Sequence, residues 1–354
     1  MIHIVKKEVP KTRDKMIIRV AAILAALLVA SIIVVFAGAN PLQLYFGILQ
    51  GCFGSVHRFA ATMEKMVPLL VLSLGVMVAF KMQFWNIGAE GQFLMGAVGA
   101  TLVVRLLPNL PLPIMLLCMM ILAFVFGAVW LMIPAFFKAR FGTNETLFTL
   151  MLNYIALTLV TALQYDFWKD PAASGMPKIA NLPDNALLPT VSGFNLSIFF
   201  VVIIVLVMYF FMNKSKKGFE IAVLGESENT ARYIGLNITK TIMIAALVSG
   251  GLCGLVGMFQ ISGVSGALSL EITGGLGFTA IIVAWLSGLK VPFVVTNAFF
   301  FAILLQGASY IQTAFQIPSS VAEMIQAIIL FFILGSEFLL RYRFVRDQTE
   351  SEVA

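Results

Sequence analysis

Ten charge-poor apolar segments follow one another along this chain, near residues 16–38, 66–81, 90–106, 112–137, 146–165, 195–212, 241–261, 272–289, 293–309 and 321–340. A bilayer core about 30 Å thick takes about 20 apolar residues per helical crossing. Inside it no water satisfies the backbone, so an apolar segment there folds as a helix. Composition agrees: 60% of the 354 residues are hydrophobic and 11% are charged, whereas a soluble domain carries about 25% charged residues. The expected fold is an all-α integral membrane protein with about ten transmembrane helices. Residues 1–15 and 341–354 are polar tails, and 16–340 form a single transmembrane domain. The first segment resembles a signal peptide, with Ala37-Gly38-Ala39 as its small-residue site. Its apolar run is too long, however, and further crossings follow, so it is read as a retained helix.

A formal charge of +6 would point a soluble protein toward nucleic acid. Here position explains it. With the N-terminus inside, ten crossings place 18 of the 23 Lys and Arg residues on the cytoplasmic side. Only Arg58, Lys65, Arg105, Lys169 and Lys178 remain outside. That asymmetry is the positive-inside pattern; it puts both termini in the cytoplasm and leaves the lipid bilayer, with no nucleic acid, as the partner of the charge. Cys52, Cys118 and Cys253 stand far apart without CxxC or Cys/His clustering, so they read as packing residues and no metal site is expected. The dipeptide Gly-Lys is absent from the sequence, which excludes a GxxxxGK[ST] phosphate loop. His3 and His57 are the only histidines and lie in no triad or HExxH pattern. No cofactor and no enzymatic activity are expected.

Two polar connections stand out. Residues 166–194, with four prolines, read as an extracytoplasmic loop, extended or short-helical. Residues 213–240 are the one sizeable cytoplasmic connection between crossings. Within it, Gly218 to Gly235 reads as a short surface helix, with Ser227 as N-cap, Glu226 and Glu228 favouring the helix start, and Gly235 closing it.

Segments two and three are short and separated by Phe84-Trp85-Asn86-Ile87-Gly88-Ala89-Glu90-Gly91-Gln92. In the second half, Ile272-Thr273-Gly274-Gly275-Leu276-Gly277-Phe278-Thr279 introduces another short span. The two elements occupy corresponding places in units of four segments, 2–5 and 7–10. An offset of five helices inverts one unit relative to the other, and Gly-interrupted elements in inverted repeats mark a translocation path. Equally open is the reading that 82–91 is a cytoplasmic turn whose glycines only permit close helix contact. Path candidates are Asn86, Gly88, Glu90, Gln92, Asn153, Gly275, Gly277 and Thr279. Glu90 carries most weight, because a carboxylate at bilayer depth is costly; capping of its own following helix is the structural alternative. Glu271 would cap the next helix in the same way, and Glu337 would pair with Arg341. Asn153, Gln306, Gln312 and Gln326 suit either a polar solute or interhelical bonds.

The stretch Gly218-Phe219-Glu220 with Gly225-Glu226-Ser227-Glu228-Asn229-Thr230-Ala231-Arg232-Tyr233-Ile234-Gly235 resembles the coupling loop of ABC importer permeases of the ribose, simple-sugar, nucleoside and branched-chain amino-acid type. Asn86-Ile87-Gly88-Ala89-Glu90-Gly91-Gln92, Asn144-Glu145 with Met151-Leu152-Asn153-Tyr154, and Gly277 through Leu286 are similar to its simple-sugar and nucleoside branch. The resemblance implies a permease that dimerises with itself or a sibling, is driven by two cytoplasmic ABC ATPase subunits, and receives solute from an extracytoplasmic solute-binding protein or lipoprotein. It further implies that Gly218, Glu220, Gly225, Glu226, Asn229, Ala231, Arg232 and Gly235 couple to the ATPase. The chain departs from the family pattern at Ala222-Val223, at Thr230 and at Thr279. An ATPase-independent secondary carrier or channel is the competing reading; it would more often show an Asp/Glu/His relay within its crossings.

Overall fold

The computed structural model describes residues 2–6, 12–36, 38–173, 175–191 and 193–346. They form two compact units, one of Met1–Arg58 with Ile303–Ala354 and the other of Phe59–Ala302. Among the described residues, six helices are long and apolar enough to cross a membrane, or seven if one bent pair counts as a span. The anticipated count of ten includes shorter helices that fall below that length.

In the first unit, α1 (Thr12–Phe36) and α13 (Ser319–Arg341) pack along each other. The antiparallel strands β1 (Ile2–Lys6) and β4 (Tyr342–Arg346) pair from Ile2 opposite Arg346 to Lys6 opposite Tyr342. Helix α2 (Pro41–Phe53) follows α1 at an angle of 111° and was not anticipated. Its 13 residues fall short of a crossing, yet the start signal is present: the Asn40 side chain accepts from the Leu42 N–H at 3.0 Å and Pro41 opens the helix. Gly47 and Gly51 bring α2 against Phe315 and Tyr310. The side chains of Glu337 and Arg341 lie outside the described residues, as do the residues beyond 346.

The second unit is built around three helices: α4 (Ala89–Leu106), α5 (Leu112–Phe141) and α10 (Ile238–Gln260). Glycine decides how they meet. A Cβ on Gly96 would overlap the Gly254 backbone, one on Gly254 the Ala123 carbonyl, one on Gly127 the Gly250 carbonyl, and one on Gly257 the backbone of Phe93 and Ala97. This is the small-residue seam expected where helices in lipid gain from close backbone approach rather than from burial. Along it α4 and α10 run parallel, and α5 runs antiparallel to both. Against the core lie α3 (Val56–Lys81) and α6 (Glu145–Ala162), the latter continuing as a π turn over Leu163–Phe167. Cys253 packs against Gly75 of α3, and Cys52, Cys118 and Cys253 are not joined in disulfides. The connection 166–194 contains a short 3-10 turn (Asp184–Ala186) and the two-residue strands β2 (Thr190–Val191) and β3 (Phe194–Asn195).

After α7 (Ser197–Lys214), the single helix expected over 218–235 is two: α8 (Lys216–Glu226) and α9 (Glu228–Tyr233). Ser227 separates them, with φ −162° and ψ 120°. Its hydroxyl accepts from the Thr230 N–H at 3.2 Å, so it is the N-cap of α9, as expected, while also ending α8. Gly235, at φ +76°, closes α9, with its N–H donating to the Arg232 carbonyl and that of Leu236 to the Ala231 carbonyl. After α10, a π turn (Ile261–Ser265) and a 3-10 turn (Leu270–Thr273) lead to the short α11 (Leu276–Leu286), and then to α12 (Val291–Ala314).

Candidate functional site

The stretch 82–88 breaks the chain between α3 and α4 without leaving the bundle. Asn86 is wholly buried, Gln92 is 1% exposed and Asn153 7%. Asn86 and Gln92 exchange a reciprocal pair of amide bonds at 3.1 and 2.8 Å, and Asn86 also donates to the Ser249 hydroxyl at 3.3 Å and accepts from the Gly88 N–H at 2.9 Å. Asn153 bridges the break from α6, accepting from the Gly91 N–H and donating to the Ile87 carbonyl, both at 2.8 Å. The Ile87 N–H reaches the Thr149 hydroxyl at 3.2 Å. A Cβ on Gly88 would lie 3.0–3.1 Å from Gln92 and Thr149, a tight fit. Backbone freed from a helix inside lipid must find such partners, and here side chains supply them. Asn153 lies eight residues into α6, about 12 Å from its start at 1.5 Å per residue. Residues 86–88 therefore pack against the side of α6.

Glu90 is half-buried in the first turn of α4. It does not cap its own helix. Its carboxylate accepts from the Gly275 N–H at 3.1 Å and the Gly277 N–H at 2.6 Å, at the start of α11. Gly274 and Gly275 both adopt positive φ, +50° and +73°, in the turn that presents the Gly275 and Gly277 N–H groups to one anion. Glu271, the expected cap of α11, is exposed and does not cap it; the residue before α11 is Gly275, and Glu90 does the capping from another helix. The starts of α4 and α11 therefore face each other through one carboxylate, an arrangement that the positive end of a helix favours. From that junction α4 runs toward Arg105, whose guanidinium stacks on Trp168 at 5.2 Å. In the opposite direction α11 brings Trp285 within 5.3 Å of Trp85 and 6.1 Å of Phe80. Thr279, half-buried, donates to the Gly275 carbonyl at 3.3 Å. Glu90, Gly275, Gly277 and Thr279 are thus one cluster, and Asn86, Gly88, Gln92 and Asn153 are the adjoining one. Gln306, Gln312 and Gln326 belong to neither.

The α8–α9 elbow touches the break directly. Gly225 sits on the Lys81 carbonyl at the end of α3, where a Cβ would overlap it, and the Gln83 side chain donates to the Gly225 carbonyl at 2.6 Å. Other elbow residues divide by direction. Gly218, Glu220 and Ala231 face inward: Gly218 against the Phe211 carbonyl, Ala231 fully buried, and Glu220 paired with Lys217 at 2.5 Å and with the Thr241 hydroxyl at 3.4 Å. The Lys217 bond and charge hold the Glu220 carboxyl below the usual carboxylate range against the opposing effect of its desolvation. Glu226, Asn229, Arg232 and Gly235 face outward, and Arg232 pairs with Glu228 at 2.7 Å. Tyr233, which the sequence did not single out, is 93% exposed on the same face. Gln83, Thr149 and Ser249 were likewise missed; only a hydroxyl or amide in an apolar segment hinted at Thr149 and Ser249. Beside the elbow, Lys138 of α5 binds the buried Glu145 at 2.9 Å, and Asn144 caps α6.

A lipid-embedded bundle in which two interrupted helices meet at a half-buried carboxylate, one of them seated on a capped two-helix elbow, is the build of a membrane permease. The family profile described as "Branched-chain amino acid transport system / permease component" matches residues 58–334, and the chain belongs to that family. It is 31% identical to a glucose ABC transporter permease protein of Haloferax volcanii over 92% of this chain and 88% of that one. With a guanosine ABC transporter permease protein of Bacillus subtilis it shares 30% identity over 94% of this chain and 96% of the relative. With a nucleoside ABC transporter permease protein of Lactococcus lactis the figures are 29%, 91% and 91%. The chain is the permease subunit of an ATP-driven ABC importer, a multi-pass protein of the bacterial inner membrane. It is not itself an enzyme: an ATPase subunit hydrolyses ATP, and a binding protein is the further partner. That sets aside the autonomous carrier.

Proposed function

We propose that this permease carries a neutral hydroxylated solute, a nucleoside or a simple sugar, and that the α8–α9 elbow drives the junction of α4 and α11. The names of the relatives, which include guanosine, nucleoside and glucose permeases, support the solute class. So does the chemistry of the break, where Glu90 is committed to backbone N–H groups and the remaining polar groups are uncharged. Both termini and the elbow face the cytoplasm, in line with the distribution of Lys and Arg. Two permease subunits, identical or sibling, enclose the path, each docking one ATPase through the outward residues Glu226, Asn229, Arg232 and Gly235. Glu90, Gly275, Gly277 and Thr279 border the path, while Asn86, Gly88, Gln92 and Asn153 hold the broken backbone behind it. Segments 2–5 and 7–10 act as inverted repeats whose interrupted helices meet at Glu90.

The contact of Gly225 with Lys81 and Gln83 carries this reading, because it joins the docking element to the break without an intervening loop. It is tested by Gly225→Val in the complete transporter reconstituted in proteoliposomes. Displacing α8 from Lys81 should leave ATP hydrolysis running and lower the uptake of labelled uridine, guanosine, ribose or galactose per ATP consumed. Unaltered uptake per ATP would refute the coupling.

A further inference from the structure

The exposed face of α6 differs from the other exposed helix faces of its unit. On α5, Leu117, Ile121, Val125 and Val129 are 44–57% exposed and purely apolar. The α7 helix exposes Phe199, Val202, Ile203, Leu206 and Phe210, with Tyr209 close to the charged end at Lys214, where an aromatic side chain suits the lipid headgroups. These are hydrocarbon-facing surfaces. On α6, beside the exposed apolar side chains of Ile155, Leu157 and Leu159, positions 154, 158, 161 and 165 form a strip that is Tyr, Thr, Thr and Tyr. Tyr154 is 59% exposed, Tyr165 49%, Thr158 exposed and Thr161 half-buried. The buried face, with Thr149, Asn153, Ala156 and Val160, lies opposite.

Tyr154 stands nine residues into α6, about 14 Å from its start and so near the bilayer midplane. Its hydroxyl makes no hydrogen bond among the described residues. A phenol hydroxyl held in hydrocarbon without a partner is unfavourable; water or a solute hydroxyl removes that cost. Thr158 and Thr161 donate to the Tyr154 and Leu157 carbonyls at 2.9 and 2.8 Å, which leaves their oxygens free to accept. The face spans about 16 Å from Tyr154 to Tyr165 and ends in the π turn at Leu163–Phe167, a feature common at functional sites. Toward the other end the same face turns apolar, at Met151 and Leu147.

We infer that the Tyr154, Thr158, Thr161 and Tyr165 face of α6 lines the solute path and binds neutral polyhydroxylated rings, the hydroxyls pairing with the solute and the tyrosine rings covering its C–H faces. The face carries no charge and so has no complement for an anionic solute. It points away from the bundle of its own chain, so the opposite wall comes from the second permease subunit. This rests on the proposed solute class and dimeric path, and it adds the surface that meets the solute.

The test uses the complete transporter in proteoliposomes, in a background with Cys118 replaced, and a charged, membrane-impermeant methanethiosulfonate as probe. Thr158→Cys should react and Val202→Cys on α7 should not. Tyr154→Phe with Thr158→Val should lower maximal uptake of the labelled sugar and nucleoside probes about 2- to 10-fold per hydrogen bond lost, with Val202→Thr unchanged. Thr158→Cys as unreactive as Val202→Cys places the face in lipid and overturns the inference, as does unchanged uptake by the double variant. Thiol labelling reads the α6 face whichever solute is carried. Failure of the wild-type transporter to take up any of these sugars and nucleosides would instead refute the proposed solute class.

Discussion

Replacing Glu90 isolates the joint between α4 and α11. In Glu90→Ala two N–H groups, those of Gly275 and Gly277, lose their carboxylate. A hydrogen bond to a charged group contributes about 1.5–3 kcal/mol, so the pair is worth about 3–6 kcal/mol before water is considered. Glu90 is half-buried, and water reaching the freed amides offsets part of this, leaving about 2–3 kcal/mol. At 1.4 kcal/mol per factor of ten, opening of the first turn of α11 becomes about 30- to 150-fold more frequent. Glu90→Gln keeps one acceptor oxygen but presents an NH₂ donor to the second N–H, so its effect should fall between the two. Hydrogen–deuterium exchange of the 274–281 segment in lipid nanodiscs measures this directly. Exchange in Glu90→Ala within twofold of wild type would show that the carboxylate does not hold the two helices together.

Gly254→Leu should be more damaging than any change at the elbow. It forces a branched side chain into the Ala123 carbonyl and the Gly127 backbone, and overpacking of a close-packed interior costs about 1–3 kcal/mol or more; the thermal midpoint and yield of the purified permease report it. Ser227→Ala removes the cap of α9 at a cost of about 1 kcal/mol, and should weaken ATPase affinity by about threefold to tenfold in a titration, with membrane insertion unchanged. The Glu220 pair gives a pH signature. Because the folded-state pKa is lowered, its stabilisation is present above the ordinary carboxylate range and is lost as pH falls through the lower native value. Acid should therefore loosen the elbow in the wild type, seen as faster proteolysis in the 213–240 region, and this acid-dependent step should disappear in Glu220→Gln.

Helix starts, stops and apolar stretches could be read locally, because their causes are local. The cap at Ser227, the left-handed stop at Gly235, and helices at most of the anticipated apolar segments all follow from residues within one turn of each other. Glu90 could be singled out because a carboxylate in an apolar run is costly wherever it lies. Its partners could not, since Gly275 and Gly277 are 185 and 187 positions away and backbone N–H groups have no sequence signature. The same limit explains the misassigned cap at Glu271, whose charge sits at a suitable spacing but points outward. It also explains why Thr149, Gln83 and Ser249 were not grouped with the break. Helix α2 was missed because its 13 residues were judged against the length of a crossing rather than by their Asn-Pro start.

The two serines at the elbow carry a mechanical consequence. Ser215 alone separates α7 from α8, and Ser227 alone separates α8 from α9. A linkage with single-residue pivots has no slack: the rods swing but the chain between them does not stretch. A push at the tip is therefore delivered as rotation, and a glycine-rich insertion at either pivot would act like a loosened bearing, absorbing the stroke while every rod stayed intact.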